Sequence, residues 1–392
     1  MVCLDRNVKV IFGAGLLSAF ILGVYEILFP FYLDYRGVSL VDMGLIFSVS
    51  ILAISFFRIF LGEYADVYGR KKVYLASSAL CIVSKSMFPF SVGKLEILFN
   101  KFLNDLGGSL RASVHNIMLY ENARKDYAKF LSWFTATNFI LDAIGSLSFV
   151  VLMAYLDYSS CFFLLATVEI AKFLTFFSYK ESKREKIDRK VSLREAYSFR
   201  IQRDLRVLAL SSAIGVLGFG IAHGFLLPLY FVGKYGLDVG QISVITAIHR
   251  LSFLTTPLAS KVIRRLGIRR TYIFSTLAYA VAFLSVGLVT FPIFIFVPVF
   301  LIHDLLGGGI RMTAMNVIVQ NLTTDSRRGR EVNAFDAIQT PMAIMAPSLA
   351  GILAAESWDL IFITGGLLFL FSLLVFCLFF KEDIEMASQS GL

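Results

Sequence analysis

The chain has 392 residues, 57% of them hydrophobic and 17% charged, with a mean hydropathy of +0.74. A soluble domain carries roughly 25% charged residues, so an ordinary cytosolic protein is excluded. The formal net charge of +9 would suit a nucleic-acid partner, but the basic residues follow a membrane-topology pattern instead, and no nucleic acid is expected.

In chain order, apolar runs predict twelve spans at 8–33, 41–63, 72–92, 95–121, 130–155, 160–179, 207–232, 239–262, 271–290, 293–321, 332–354 and 359–380. Each approaches or exceeds the ~20 residues needed to cross a hydrocarbon core of about 30 Å. The first run, "VIFGAGLLSAFILGVYEILFPFYL" from Val10, is longer than a signal-peptide core and ends without a small-residue cleavage pattern, so it reads as a span. With the N-terminus in the cytoplasm, only Arg36, Lys94 and Lys234 among the loop Lys and Arg residues fall outside. That bias predicts a multi-pass protein of the cell membrane with both termini cytoplasmic. The cysteines, Cys3, Cys81, Cys161 and Cys377, show no metal-type spacing.

The longest polar segment, Tyr179 to Arg206, carries twice as many basic as acidic residues. It divides the chain into a six-helix bundle over 1–179, a cytoplasmic basic linker over 180–206, a second six-helix bundle over 207–381 and a cytoplasmic tail over 382–392. The two bundles are related. Adding 200 carries "LGGSLRASVHN", Leu106 to Asn116, onto "LGGGIRMTAMN", Leu306 to Asn316, and shorter echoes pair Leu28 with Leu226 and Asp42 with Asp238. An even number of spans per half makes the repeats parallel, an arrangement expected when substrate binds near the midplane between two rocking halves. No GxxxxGK[ST] loop is present and no polar segment is long enough for a catalytic domain, so neither an enzyme nor a cofactor is expected.

Between spans 2 and 3 the chain reads "GEYADVYGRKK". This resembles the signature loop of the major facilitator superfamily, with Gly62, Asp66, Gly69, Arg70 and Lys71 in register and Val67 departing where the family has a base. The resemblance implies an all-α membrane protein of twelve transmembrane helices in two pseudo-symmetric six-helix bundles. It further implies that Asp66 and Arg70, with Glu121 ending span 4, act as a conformational latch. The matching second-half loop, "SKVIRRLGIRR", has Arg264 in place of the Asp.

Charges inside the spans are the candidate site, because an Arg or Asp at a helix centre costs about 2.5–3.5 kcal/mol even on the lenient scale. Asn104, Gly108, Arg111 and His115 form one helical stripe on span 4, and Asp304, Gly308, Arg311 and Met315 the matching stripe on span 10. The resemblance implies that these stripes line a central cavity. Asn104, Arg111, His115, Asp304 and Arg311 are therefore candidate substrate contacts, the arginines suiting a carboxylate, phosphate or sulfonate. The alternative is internal pairing, Arg111 with Asp105 or Glu26 and Arg311 with Asp304 or Asp336. Glu26, Asp142 and His223 are candidate proton carriers. Arg58 reads as structural and His249 and Arg250 as residues within reach of the cavity; the resemblance implies that spans 3 and 6, which carry Lys85, Glu169 and Lys172, are peripheral, and the last two are spaced to pair on one helix.

The expectation is a secondary transporter, not an enzyme, moving an anionic or zwitterionic small organic solute by alternating access with proton coupling. Its partners are that small-molecule substrate, protons and the lipid bilayer, and it is expected to be a monomer. The alternatives are a proton-coupled exporter of amphipathic compounds, which the resemblance disfavours because such members of the family carry a Gly-Pro motif in span 5 where this chain has "LDAIGSLSF", and a non-transporting receptor or scaffold of the same fold.

Overall fold

A computed structural model describes residues 5–123, 127–181, 201–323 and 328–381, and the side chains of 58–68, 113, 116, 127–129, 132 and 328–330 lie outside the described ones. Most of the linker and the tail beyond 381 are likewise outside. Among the described residues all regular structure is helical. The first helices are α1 (Arg6–Tyr35), α2 (Leu40–Tyr68), α3 (Arg70–Met87), α4 (Lys94–Asn122), α5 (Tyr127–Tyr155) and α6 (Tyr158–Phe177). They are followed by α7 (Arg203–Ala222), α8 (Leu227–Tyr235), α9 (Val239–Ser252), α10 (Ala259–Leu266) and α11 (Ile268–Leu288). The last are α12 (Ile293–Ile302), α13 (Gly309–Leu322), α14 (Arg328–Glu356) and α15 (Trp358–Phe379).

Local sequence explains the helix starts. Asp5, Ser39, Asp157 and Ser357 each accept a backbone N–H from the first turn of α1, α2, α6 and α15, satisfying donors that a helix leaves orphaned. The tight joints repeat between the halves. Gly37 and Gly236 have φ of 68° and 65°, and Gly69 and Gly267 have φ of 94° and 78°, values that a side chain resists and glycine does not.

Eleven spans among the described residues are long and apolar enough to cross a membrane. α4 is outside that set despite its 29 residues, because it carries Lys101, Asp105 and Arg111. The second half departs from unbroken spans in three places. α7 stops at Ala222 and the chain resumes as α8 with Pro228 in its first turn, where the missing N–H of proline is tolerated. Span 8 passes from α9 through a 3-10 segment, Phe253–Leu258, that contains Pro257. Span 10 is interrupted by a π-helical turn, His303–Gly308. There Gly307 packs so closely that a Cβ would sit 2.8 Å from the Tyr279 ring, and one on Gly309 would overlap Thr256.

The chain divides into two compact units, one within 1–191 and 237–251, the other within 192–236 and 252–392. Each has its own apolar core. In the first, Tyr74 stacks on Phe176 at 3.6 Å among Val8, Met118, Phe130 and Phe134. In the second, Tyr272 lies 4.6 Å from Phe376 among Leu205, Ile318 and Phe335. Within the first unit, α1 and α5 approach so closely at Gly23 that any side chain there would overlap the Asp142 carbonyl.

Candidate functional site

In the first unit, Arg111 on α4 faces a charge cluster contributed by α3 and α6. Glu169 lies 3.1 Å from Lys85 Nζ, pairs with Lys172 one turn on, and is 4.0 Å from Arg111 Nη1. Lys85, Glu169 and Lys172 are at most 2% exposed, while the Arg111 side chain is 22% exposed. Lys85 also donates to Asn104 Oδ1 at 2.7 Å and sits over the Tyr25 ring. Arg111 and Asn104 therefore belong to one network with Lys85, Glu169 and Lys172, which are not peripheral to them. The partner of Arg111 is Glu169, whereas Asp105 pairs with Lys101 and accepts from Ser50. Three cations surround one carboxylate. His115 is buried, stacked on Phe134 at 4.6 Å and 6.3 Å from Tyr74, a packing position beneath that network.

Two of the candidate proton carriers meet on one arginine of the same unit. Arg250 of α9 pairs with Glu26 on α1 and lies 3.4 Å from Asp142 on α5. Sequence spacing could not show this, since the three residues stand on three helices. The only hint was that each is an ion within an apolar run.

In the second unit, Arg311 on α13 is held without a carboxylate. Its Nε donates to Thr276 and its Nη2 to the Tyr272 hydroxyl, both at 3.3 Å, and its guanidinium lies over Tyr272 and Phe369 at 5.3 and 5.6 Å. Gly215 on α7 leaves room for it, because a Cβ there would come within 2.8 Å of Nη2. No acid pairs with Arg311 among the described residues; Asp304 instead contacts His303 and Ser252. The internal repeat explains the difference. At the offset of 200 that pairs Arg111 with Arg311 and Phe176 with Phe376, Glu169 becomes Phe369 and Lys172 becomes Ser372. One repeat offers its arginine a carboxylate and the other an aromatic face.

Of the remaining predicted positions, His223 ends α7, stacked on Phe219 at 4.4 Å and 5.2 Å from the His303 ring. Arg70 and Glu121 form an ion pair. Glu181 accepts the Arg70 amide at 2.6 Å, and Lys71 Nζ donates to the Phe177 and Tyr179 carbonyls. The Glu181 carboxylate thus sits at the positive N-terminus of α3, where an anion is favoured. Gly62 and the side chains of Asp66 and Arg58 lie outside what is described.

Long apolar helices in two repeats, with ionised side chains gathered inside them, define a polytopic membrane transport protein. A family model described as Major Facilitator Superfamily matches residues 11–330 and, a second time, 208–391. The chain belongs to the major facilitator superfamily, and as a member it is a multi-pass secondary transporter of a small molecule rather than an enzyme. The fold agrees with solved structures at low identity. A mutant form of the nucleoside transporter NupG is 13% identical, with a TM-score of 0.81 over 96% of this chain and 100% of that one. A bacterial homologue of the iron transporter ferroportin in an inward-facing state is 17% identical, with a TM-score of 0.77 over 96% and 99%. The human organic anion transporter MFSD10 (TETRAN) is 16% identical, with a TM-score of 0.69 over 94% and 98%. A search of curated proteins finds no match to the sequence.

Proposed function

We propose that the protein carries a small anionic or zwitterionic organic solute by alternating access, coupled to protons. The observation that carries this reading is Arg311, a guanidinium held by two hydroxyls and two aromatic rings with no carboxylate paired to it among the described residues. A positive, fork-shaped donor in an apolar surrounding is matched by a carboxylate, phosphate or sulfonate. Arg111 supports the same reading, as the solvent-reaching edge of a cluster with more positive than negative charge.

Coupling is assigned to Glu26, Arg250 and Asp142. Two ionised acids on one arginine hold a net −1, which one proton cancels, so protonation changes the charge that the group carries through the cycle. Arg250 and His249 are the basic groups that act on Asp142.

The test is reconstitution into liposomes with an imposed pH gradient and a panel of organic anions, zwitterions and cations. Accumulation of an anion or zwitterion with accompanying proton movement is expected. Arg311→Gln should abolish it while leaving a monodisperse, folded protein. Glu26→Gln or Asp142→Asn should retain solute exchange at equal pH but lose accumulation driven by the gradient. Accumulation of cations alone, or unchanged transport in Arg311→Gln, would overturn the anion assignment.

A further inference from the structure

All three interruptions of the second half lie near one small group of side chains. His223 ends α7, Ser252 ends α9, and His303 and Asp304 open the π-helical turn of span 10. π-Helical turns occur frequently at functional sites, and broken helices in transporters commonly bracket an ion or substrate. Here one ring nitrogen each from His223 and His303 and one carboxylate oxygen of Asp304 lie within 4.8 Å of one another. His303 and Asp304 are fully buried.

The orientation of His303 is informative. Its Nδ1 contacts the Phe300 carbonyl oxygen, which only accepts, so Nδ1 is the donor. In the neutral ring the lone pair then belongs to Nε2, and Nε2 lies 3.2 Å from Asp304 Oδ1. At that separation Nε2 and Oδ1 are bridged by a positive charge, a proton on Nε2 or a cation shared between the two. A 3.2 Å edge is also close to the roughly 3.3 Å expected between two ligands about 2.0–2.1 Å from a tetrahedral metal. A metal-bound histidine typically donates its other N–H to a carbonyl, as His303 does to Phe300. Asp304 Oδ2, the other carboxylate oxygen, is 3.2 Å from the Ser252 hydroxyl, an outer contact of the kind that fixes a ligating carboxylate. Phe219, Tyr279, Phe283 and Phe300 ring the two histidines at centroid distances of 4.4 to 6.2 Å, a dry shell that strengthens charge interactions inside it.

We propose that His223, His303 and Asp304 bind a divalent first-row transition-metal cation, by two imidazole nitrogens and one carboxylate oxygen. This donor set suits cations of borderline softness such as Zn2+, Co2+ or Fe2+ and disfavours Mg2+ and Ca2+, which prefer oxygen ligands alone. The site is separate from Arg311 and does not depend on the solute assigned above.

The probe is Co2+, titrated into the tag-free full-length protein in detergent, with visible ligand-field bands and elemental analysis as readouts. The expected result is stoichiometric Co2+ that Zn2+ displaces and excess Mg2+ does not. His223→Ala and Asp304→Asn should each weaken binding by roughly 10-fold or more, whereas His115→Gln, on the first unit, should bind as wild type. Monodispersity and thermal unfolding without metal establish that each variant is folded. Should Asp304→Asn fail to fold, His223→Ala carries the comparison, its side chain lying at a helix end rather than inside one. Absence of Co2+ from the wild type, or equal binding by wild type and His223→Ala, overturns the proposal.

Discussion

Arg111 and Arg311 occupy equivalent positions and meet opposite fates, because residue 169 is Glu and residue 369 is Phe. Removing Glu169 strands Lys85, Lys172 and Arg111 with no counter-charge, and breaking a buried pair from one side costs about 3–5 kcal/mol. Glu169→Gln is therefore expected to lower the yield of folded protein and its thermal unfolding temperature, both measurable in detergent. Arg311 predicts the reverse pattern, with normal unfolding and lost solute binding in Arg311→Gln. A sharper check is Phe369→Glu, which restores to the second unit the carboxylate of the first. It should extinguish anion binding in a thermal-shift assay, with a fall in unfolding temperature because Phe369 is buried and stacked on Tyr279 at 4.5 Å. The arginine pair was legible in the sequence through the 200-residue repeat. Their partners were not, because Glu169 stands on another helix 58 positions away and nothing in spacing brings it to Arg111.

Between elements, contact distance decides the outcome. A side chain at Gly23 would overlap the Asp142 carbonyl, so Gly23→Val must push α1 from α5. The expected loss is the 1–3 kcal/mol typical of overpacking, read as a fall in unfolding temperature. Gly267, at φ 78° and ψ 157° between α10 and α11, holds an extended positive-φ conformation that essentially only glycine adopts, and Gly267→Ala should cost about 1–3 kcal/mol. At the start of α6, hydrogen bonds from Ser160 hold the Asp157 carboxyl below its ordinary pKa. A folded-state pKa below the unfolded one gives stability that is present above about pH 3.9 and lost as pH falls through the folded value. Asp157→Asn should remove that acid-limb dependence from the melting curve. Span positions and the loop glycines were legible because they follow from hydropathy and backbone geometry. The π-helical turn at His303 was not, since it depends on how tightly Gly307 and Gly309 meet Tyr279 and Thr256.

For the whole molecule, the repeat and the signature loop were enough to expect a major facilitator transporter, and the family match bears that out. Composition could not show that 237–251 would group with the first unit, an arrangement matched by Arg250 pairing with Glu26 and approaching Asp142. The same triad makes the coupling prediction a whole-cycle one. With Glu26→Gln, the pH at which accumulation is half-maximal should disappear as a variable while exchange persists.

An arginine without a carboxylate also has an electrical consequence. When a monoanion sits on Arg311 the pair is neutral, and the membrane potential does no work on it as it changes sides. Empty, the same group carries one positive charge, and crossing the full field would exchange about 2.3 kcal/mol per 100 mV. In the proposed cycle the unprotonated Glu26–Arg250–Asp142 group, at −1, offsets that charge in the empty carrier, so Glu26→Gln, which makes the group neutral, should expose the return of the unloaded carrier to voltage. In liposomes clamped by potassium and valinomycin at matched pH, wild-type uptake should be indifferent to potential, and net uptake by Glu26→Gln should follow it.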